Sequence, residues 1–362
     1  MLLEGIFPAI TTPFYPDGNI YFRKLEHNLD RYSRAPISGM VVLGSTGEAV
    51  HLSDAEQRDV LKVAFEHAYA EKVMLAGVGQ ESTRCTLELA EFAAQLGYDV
   101  ALVRTPSYYR PLLQADIRFQ LAHFRFLADR SPLPILLYSV PPFTAYDLPL
   151  EAITELASHP NIIGIKESSG NVEKIAAIRK ATAHIKRTVN VTEVFAAVTG
   201  RMLRSLEAET PVPGMVSASA LASGGSAKSS TTTAVAPAPP PQKFKLRTKQ
   251  VGFTILAGSA QKLLPSLAAG ADGGVLAFAA AAPQACYEVF AAWKDADQPL
   301  AELKQQRISA AAKRVGAEMG IPGLKYALDL NGYYGGPARL PLLPLLGEQK
   351  SEIERLMADL KN

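Results

Sequence analysis

Short apolar, β-branched runs alternate with longer amphipathic stretches along most of the chain. The runs predict strands over residues 5–11, 38–43, 73–77, 99–105, 135–139, 162–166, 253–258 and 273–276. They are mostly apolar rather than strictly alternating, the pattern of a parallel sheet covered by helices. The stretches between them carry helix signals. Ser53-Asp-Ala-Glu56 is a capping box, and Val60, Leu61 and Ala64 form the stripe behind it. Residues 82–96 predict a second helix closed by Gly97, and residues 171–181 a third. Eight strands in this rhythm predict an α/β fold, a (β/α)8 barrel with strand ends carrying the chemistry. An open doubly wound sheet is the competing arrangement, but its usual Gly-x-Gly-x-x-Gly phosphate turn is absent.

Residues 207–242 break the rhythm. Ser, Thr, Ala, Pro and Gly dominate there, with Ser229-Ser-Thr-Thr-Thr233 followed by Ala236-Pro-Ala-Pro-Pro-Pro241 and no aromatic residue. Such a segment buries too little apolar surface to offset the entropy of ordering it. It predicts a disordered insertion before the seventh strand, about 185–250 with its flanks; an inter-domain linker is the alternative. The barrel then spans residues 1–299 around that interruption, and 300–362 form a C-terminal helical extension. A Gly- and Pro-rich break at 332–344 divides the extension, which covers the barrel exterior or makes a subunit contact.

Composition narrows the function classes. With 37 Lys+Arg against 35 Asp+Glu in 362 residues, the net charge of +2 supports no broad nucleic-acid-binding face. The longest apolar run, residues 275–283, is too short to cross a membrane. The first residues lack a basic region and reach Glu4 and Pro8 at once, so no secretory signal is expected and a cytoplasmic location is. Cys85 and Cys286 are too isolated to predict a disulfide framework or a metal cluster. His27, His51, His67, His123, His159 and His184 are scattered, most at surface or loop positions, and no metal site is expected.

Several unusual residues fall at strand ends. Lys166 closes an apolar run, so its amine is partly desolvated and suited to attack a ketone as a neutral nucleophile; pairing with Glu167 at the surface is the alternative. Tyr138 closes the preceding strand and could relay protons, or simply plug the barrel. Tyr108 and Tyr109 lie in a Pro-bounded loop and could equally be interface contacts. Gly44-Ser-Thr-Gly-Glu48 offers backbone amides and two hydroxyls to a small carboxylate, and Ala257-Gly-Ser-Ala260 is a similar turn.

The pieces Gly44-Ser-Thr-Gly-Glu48, Thr105-Pro-Ser-Tyr-Tyr109, Tyr138-Ser-Val-Pro141 and Gly164-Ile-Lys-Glu-Ser-Ser-Gly170, in this order, resemble the pyruvate-dependent Schiff-base lyase family. That family includes dihydrodipicolinate synthase and N-acetylneuraminate lyase, and the likeness covers nearly all of the chain outside 185–250. The resemblance implies that Lys166 forms the Schiff base and that Tyr138 relays protons. It also implies that Ser45 and Thr46, with Gly44 and Gly47, bind the substrate carboxylate, that Ser45 or Thr46, with Tyr108, stands behind Tyr138 in moving the protons, and that Gly258 and Ser259 face the substrate. It matches Tyr108, in the register set by Arg110-Pro111, to the tyrosine that reaches a neighbouring subunit's site in a homotetramer built as a dimer of dimers. No metal or redox cofactor is implied.

Within the family, the synthase typically holds its second substrate with an arginine two positions after Tyr-x-Val-Pro, where this chain has Phe143. That residue and Ala257-Gly-Ser-Ala260, Asp147-Leu-Pro149, His159-Pro-Asn161, Gly320-Ile-Pro-Gly-Leu-Lys325 and Gly332-Tyr-Tyr-Gly-Gly-Pro337 look more like mitochondrial-type 4-hydroxy-2-oxoglutarate aldolase. Thr46 departs from that aldolase, which typically has Asn there. The expected reaction is cleavage of 4-hydroxy-2-oxoglutarate to pyruvate and glyoxylate. Condensation of pyruvate with aspartate semialdehyde by a 4-hydroxy-tetrahydrodipicolinate synthase is the alternative. A 2-oxo-3-deoxy sugar-acid aldolase or dehydratase, and a non-catalytic binding barrel, are further alternatives.

Overall fold

The structure, a computed structural model, describes residues 1–208 and 245–360. Among the described residues there are ten strands: β1 (Gly5–Pro8), β2 (Gly39–Val42), β3 (Val73–Gly77), β4 (Val100–Arg104), β5 (Ile135–Ser139), β6 (Ile162–Glu167), β7 (Arg187–Thr192), β8 (Leu246–Val251), β9 (Thr254–Ala257) and β10 (Gly273–Leu276). Eight of them form one parallel sheet in the order β1-β10-β9-β6-β5-β4-β3-β2. The two ends of that order meet. Ala9 bridges Val41, Ile10 N donates to Val41 O at 3.0 Å, and Ser38 N donates to Ile6 O at 3.0 Å. The sheet thus curls into the expected (β/α)8 barrel, each predicted run holding one of its strands.

Apolar runs work on both faces here because the strands have two dry sides. Phe7, Val41, Leu75, Leu102, Leu136 and Leu256 pack inside the barrel, while Ile6, Met40, Met74, Val103, Leu137 and Ile255 pack outward against the helices. The capping box at Ser53 forms, with Ser53 N donating to Glu56 Oε2 at 2.9 Å and Glu56 N to Ser53 Oγ at 3.3 Å. The helix Thr83–Leu96 ends at Gly97, whose φ of 105° is the left-handed turn a glycine tolerates. Among the described residues, no helix is long and apolar enough to cross a membrane.

The interruption expected at about 185–250 is regular at both flanks. β7 and β8 pair antiparallel, and a helix covers Gly200–Ala208. The alternation Thr188-Val189-Asn190-Val191 signals β7, because Val189 and Val191 are buried on Leu2. A composition window centred on the Ser/Pro-rich stretch averages that signal away. The expected disorder itself falls mainly on residues 209–244, outside the described residues.

These flanks sit on the barrel floor. Lys249 pairs with Glu4 at 2.7 Å, Arg187 NH2 donates to the carbonyls of Ala157, His159 and Ile162, and Gly200 N donates to Asp99 Oδ1 at 3.0 Å. All of these contacts involve the N-terminal ends of barrel strands or segments leading into them. The helices Pro283–Lys294 and Gln298–Ala311 pack together outside the barrel. The chain then turns through a π-helical segment, Ala312–Glu318, and the helix Gly320–Leu330 towards the opposite end, the mouth.

One irregularity sets which side chains reach that mouth. Ile135 pairs with Ile162, but Leu136 pairs with Gly164, so Ile163 is an extra residue in β6. Beyond this bulge the register runs Tyr138 against Lys166 and Lys166 against Leu256. Gly164 lies so close to β9 that a Cβ there would stand 2.3 Å from Thr254 O. Gly164→Ala is therefore expected to destabilise the protein by about 1–3 kcal/mol, the usual penalty for overpacking, read as a lower urea midpoint.

Candidate active site

The C-terminal ends of adjacent strands place Arg104, Tyr138, Lys166 and Leu256 side by side in register. All four share the inward parity of Val100, Leu102 and Leu136. Lys166 and Tyr138 are each only 5% exposed, and Lys166 Nζ stands 3.9 Å from the centre of the Tyr138 ring. Glu167 has the opposite parity: it points outward to Lys174 at 2.8 Å and accepts from Ser169 N at 2.6 Å. The surface Lys166–Glu167 pair considered from the sequence does not form.

After β2 the chain makes a tight turn over Ser45–Gly47. Ser45 Oγ comes within 3.4 Å of the Tyr138 hydroxyl, and Thr46 is buried beside it. The turn is bracketed by Leu43 at φ 59° and Glu48 at φ 55°, a left-handed conformation that costs about 1–3 kcal/mol in a non-glycine residue. The C-terminal extension holds it there. Glu48 Oε1 pairs with Lys325 Nζ at 2.6 Å with both side chains buried, and Glu48 Oε2 accepts from Arg339 N at 2.8 Å. Lys325 also donates to Thr12 O and Pro337 O, each at 2.8 Å. Burial lowers the Lys325 pKa while Glu48 opposes that shift.

Two neighbouring lobes that share lining residues open above the strand ends. The larger, about 600 Å³, is lined by Lys166, Thr46, Ser168, Gly258 and Ser259. The smaller, about 340 Å³, is lined by Gly44, His51, Gln80 and Arg104. Ser45, Tyr138, Val140 and Phe143 border both, as do Ile321 and Leu342 from the extension. Gly258 permits the close packing of Ser168, whose Oγ would lie 1.8 Å from any Cβ at that position.

Lys166, Tyr138, Ser45, Thr46, Gly44, Gly258, Ser259 and Phe143 are therefore brought together. Gly47 is not a free donor: its N–H closes the turn on Gly44 O at 2.9 Å, and its carbonyl accepts from Thr12 Oγ1 at 2.7 Å. A backbone amide already bonded within its own turn does not receive a ligand, which corrects the expected set of donors. Tyr108 is 79% exposed, lies edge-on to Tyr109, and lines neither lobe of its own chain. Its loop is anchored from below, where Glu81 accepts from Ser107 N and Tyr108 N at 2.8 Å and pairs with Arg104 at 2.7 Å. Burial works to raise the Glu81 carboxyl, but these bonds from Tyr108, Ser107 and Arg104 hold it down at about 2.

Sequence reading missed Arg104, Ser168 and the whole contribution of the extension. An arginine ending an apolar strand, and Lys325 inside Gly323-Leu-Lys-Tyr-Ala-Leu328, were the available signals. His123 is buried rather than superficial, its pKa lowered to about 4 by desolvation, and it bonds Thr83 Oγ1 at 2.8 Å. Among the described residues no group of three or more His, Cys, Asp or Glu could hold a metal ion. A primary amine against a phenol, beside hydroxyls in one pocket, can form and protonate an imine with a bound ketone.

The sequence profile of the dihydrodipicolinate synthetase family matches residues 2–189 and 242–360. The 4-hydroxy-tetrahydrodipicolinate synthase of Methanothrix thermoacetophila is 27% identical over 361 residues, covering 100% of this chain and 98% of that protein. Its counterpart in Xanthomonas campestris pv. campestris is 42% identical over 178 residues, 49% of this chain and 58% of that protein. Among solved structures, the chloride-inhibited dihydrodipicolinate synthase of Acinetobacter baumannii, complexed with pyruvate, matches with a TM-score of 0.75 and 25% identity, covering 99% of each chain. Dihydrodipicolinate synthase DapA-2 of Bacillus anthracis has the same fold, with a TM-score of 0.76, 21% identity and complete coverage of both chains.

The buried Glu48–Lys325 pair yields a stability prediction. Lys325→Met strands a buried carboxylate and is expected to cost about 3–5 kcal/mol, whereas Lys325→Met combined with Glu48→Gln should cost less than the single change. Urea unfolding of the two variants checks this; a double variant at least as unstable as the single one would count against the ion pair.

Proposed function

The chain belongs to the dihydrodipicolinate synthetase family, whose members are pyruvate-dependent, lysine Schiff-base lyases, and from that membership we propose that it condenses pyruvate with aspartate semialdehyde. The names carried by the full-length and half-length relatives support this choice of second substrate. The observation that carries the chemistry is Lys166 Nζ lying 3.9 Å from the Tyr138 ring inside the larger lobe.

The lone pair of the Lys166 amine attacks C2 of pyruvate to give a carbinolamine. Tyr138, with Ser45 Oγ 3.4 Å from its hydroxyl, delivers the proton that lets water leave. Thr46 and the Gly44–Ser45 end of the turn hold the pyruvate carboxylate, fixing the ketone against the amine. The resulting iminium acidifies C3, which loses a proton to form the enamine. The enamine carbon then bonds to the aldehyde carbon as the aldehyde oxygen gains a proton. Attack by the semialdehyde's own amino group on the iminium carbon closes the ring and releases Lys166. Ser259 and Gly258 shape the far wall. Tyr108 belongs to this scheme through a neighbouring subunit of a homotetramer, where its exposed ring completes the proton path.

Phe143 favours a second reading. It places no charge at the rim, and the same iminium run in the cleavage direction breaks the C3–C4 bond of 4-hydroxy-2-oxoglutarate, leaving the pyruvate enamine and releasing glyoxylate.

Three measurements test these assignments. Borohydride added with pyruvate should trap an adduct on Lys166, absent in Lys166→Ala; an unmodified lysine in the wild type would refute the mechanism. Tyr138→Phe should still form the adduct but turn over about 100- to 10,000-fold more slowly, the range for loss of a general acid–base group. A panel of pyruvate plus aspartate semialdehyde, 4-hydroxy-2-oxoglutarate, and 2-oxo-3-deoxy sugar acids decides the reaction. A cyclic product from the first pair is expected, and glyoxylate release from the second without cyclisation of the first would favour the cleavage reading.

A further inference from the structure

The inward register at the mouth holds one residue that the mechanism above does not use. Arg104 ends β4 with the same parity as Val100 and Leu102, whose side chains fill the barrel. Its Cα is the direct partner of Tyr138, which is the direct partner of Lys166. Two strand spacings, about 10 Å, separate Arg104 from Lys166. The neighbouring strand end makes room for the side chain: a Cβ on Gly79 would stand 2.7 Å from Arg104 Cγ.

Arg104 lines the smaller lobe together with its partner Glu81, and Leu43, Leu102, Val140 and Phe143 supply apolar wall there. A cation against such walls is felt more strongly than one in water. Its NH1 donates to Glu81 Oε1 at 2.7 Å and to Thr105 O at 3.3 Å. Glu81 does not depend on Arg104 alone, because its carboxylate also accepts from Ser107 N, Tyr108 N and Ser107 Oγ. The five N–H groups of a guanidinium can serve Glu81 and a second carboxylate together. Phe143, 72% exposed at the rim, offers that carboxylate nothing.

We propose that Arg104 receives the carboxylate of the second substrate, so that the aldehyde accepted in the smaller lobe is a short anionic aldehyde acid. This rests on the Schiff-base reading, which puts the nucleophilic enamine on Lys166 in the larger lobe. The lobes meet at Ser45 and Tyr138, so an aldehyde whose oxygen faces the Tyr138 hydroxyl extends its other end towards Arg104. Aspartate semialdehyde and glyoxylate both carry the required carboxylate, the first beside its own amino group. An uncharged sugar aldehyde does not, and it gains nothing from Arg104, which then keeps only its Glu81 and Thr105 partners.

The test compares the wild type with Arg104→Gln, Arg104→Lys and Glu81→Gln, each assayed with pyruvate and aspartate semialdehyde, glyoxylate or the uncharged glyceraldehyde. Borohydride trapping of pyruvate on Lys166 is run alongside. Arg104→Gln should raise KM for both anionic aldehydes by about 30-fold or more, leaving the pyruvate adduct and the glyceraldehyde rate unchanged. Arg104→Lys, which keeps the charge without the fork, should fall between. Glu81→Gln loosens the Tyr108 loop but keeps the cation, so the preference for anionic aldehydes should persist. Equal losses with charged and uncharged aldehydes in Arg104→Gln, or the same selective loss in Glu81→Gln, would overturn the proposal and leave the pair a loop anchor. A wild type that prefers glyceraldehyde would also overturn it. Failure of the wild type to form the pyruvate adduct would remove the Schiff-base reading and this proposal together, whereas a normal adduct with no shift in aldehyde preference would remove this proposal alone.

Discussion

A strand's side chains alternate between faces, so a single residue of register decides whether a lysine at its end meets a substrate or a helix. The bulge at Ile163 makes that decision here. Counting straight on from the Ile135–Ile162 pair would set Tyr138 against Ile165, and Lys166 would fall opposite Ser139, an outward position. The extra residue instead sets Tyr138 against Lys166 and sends Glu167 outward to Lys174. Gly164 makes the arrangement packable, because the bulged strand then runs close against β9. The amine, the phenol and Arg104 beyond it form one inward row as a consequence.

The turn that faces this row is held by distant sequence. Residues 43 and 48 adopt left-handed backbone without glycine, and such strain persists only where the surroundings over-determine it. Lys325 and Arg339 supply the surroundings through Glu48, and Arg339 is in turn fixed by two bonds to Glu56 and by Gly18 O. The capping box at Ser53 shares Glu56 with this network. Helix start, substrate turn and C-terminal extension are therefore mechanically one unit, and Ile321 and Leu342 line both lobes as part of it.

The two ends of the barrel divide the work. The floor carries the β7–β8 strand pair and its Lys249–Glu4 ion pair, while the mouth carries Lys166 and both lobes. Among the described residues, the mouth is built by the strand ends and the extension.

The sequence alone determined the barrel, because a strand dry on both faces must be apolar throughout and a helix between strands must show one stripe and a cap. It also singled out Lys166, Tyr138 and Ser45, since polar groups at the ends of apolar strands and in small-residue turns are visible without coordinates. Composition hid the β7–β8 strand pair, whose short valine alternation is outweighed by the Ser/Pro-rich stretch beside it. Only the tertiary structure decided that Lys166 faces inward, that the Gly47 amide is consumed within its own turn, and that Arg104 and Lys325 belong at the mouth. The reason is geometric: a register shift, an internal hydrogen bond and a contact across some 280 residues between Glu48 and Lys325 depend on which strands lie side by side, and no local pattern encodes that.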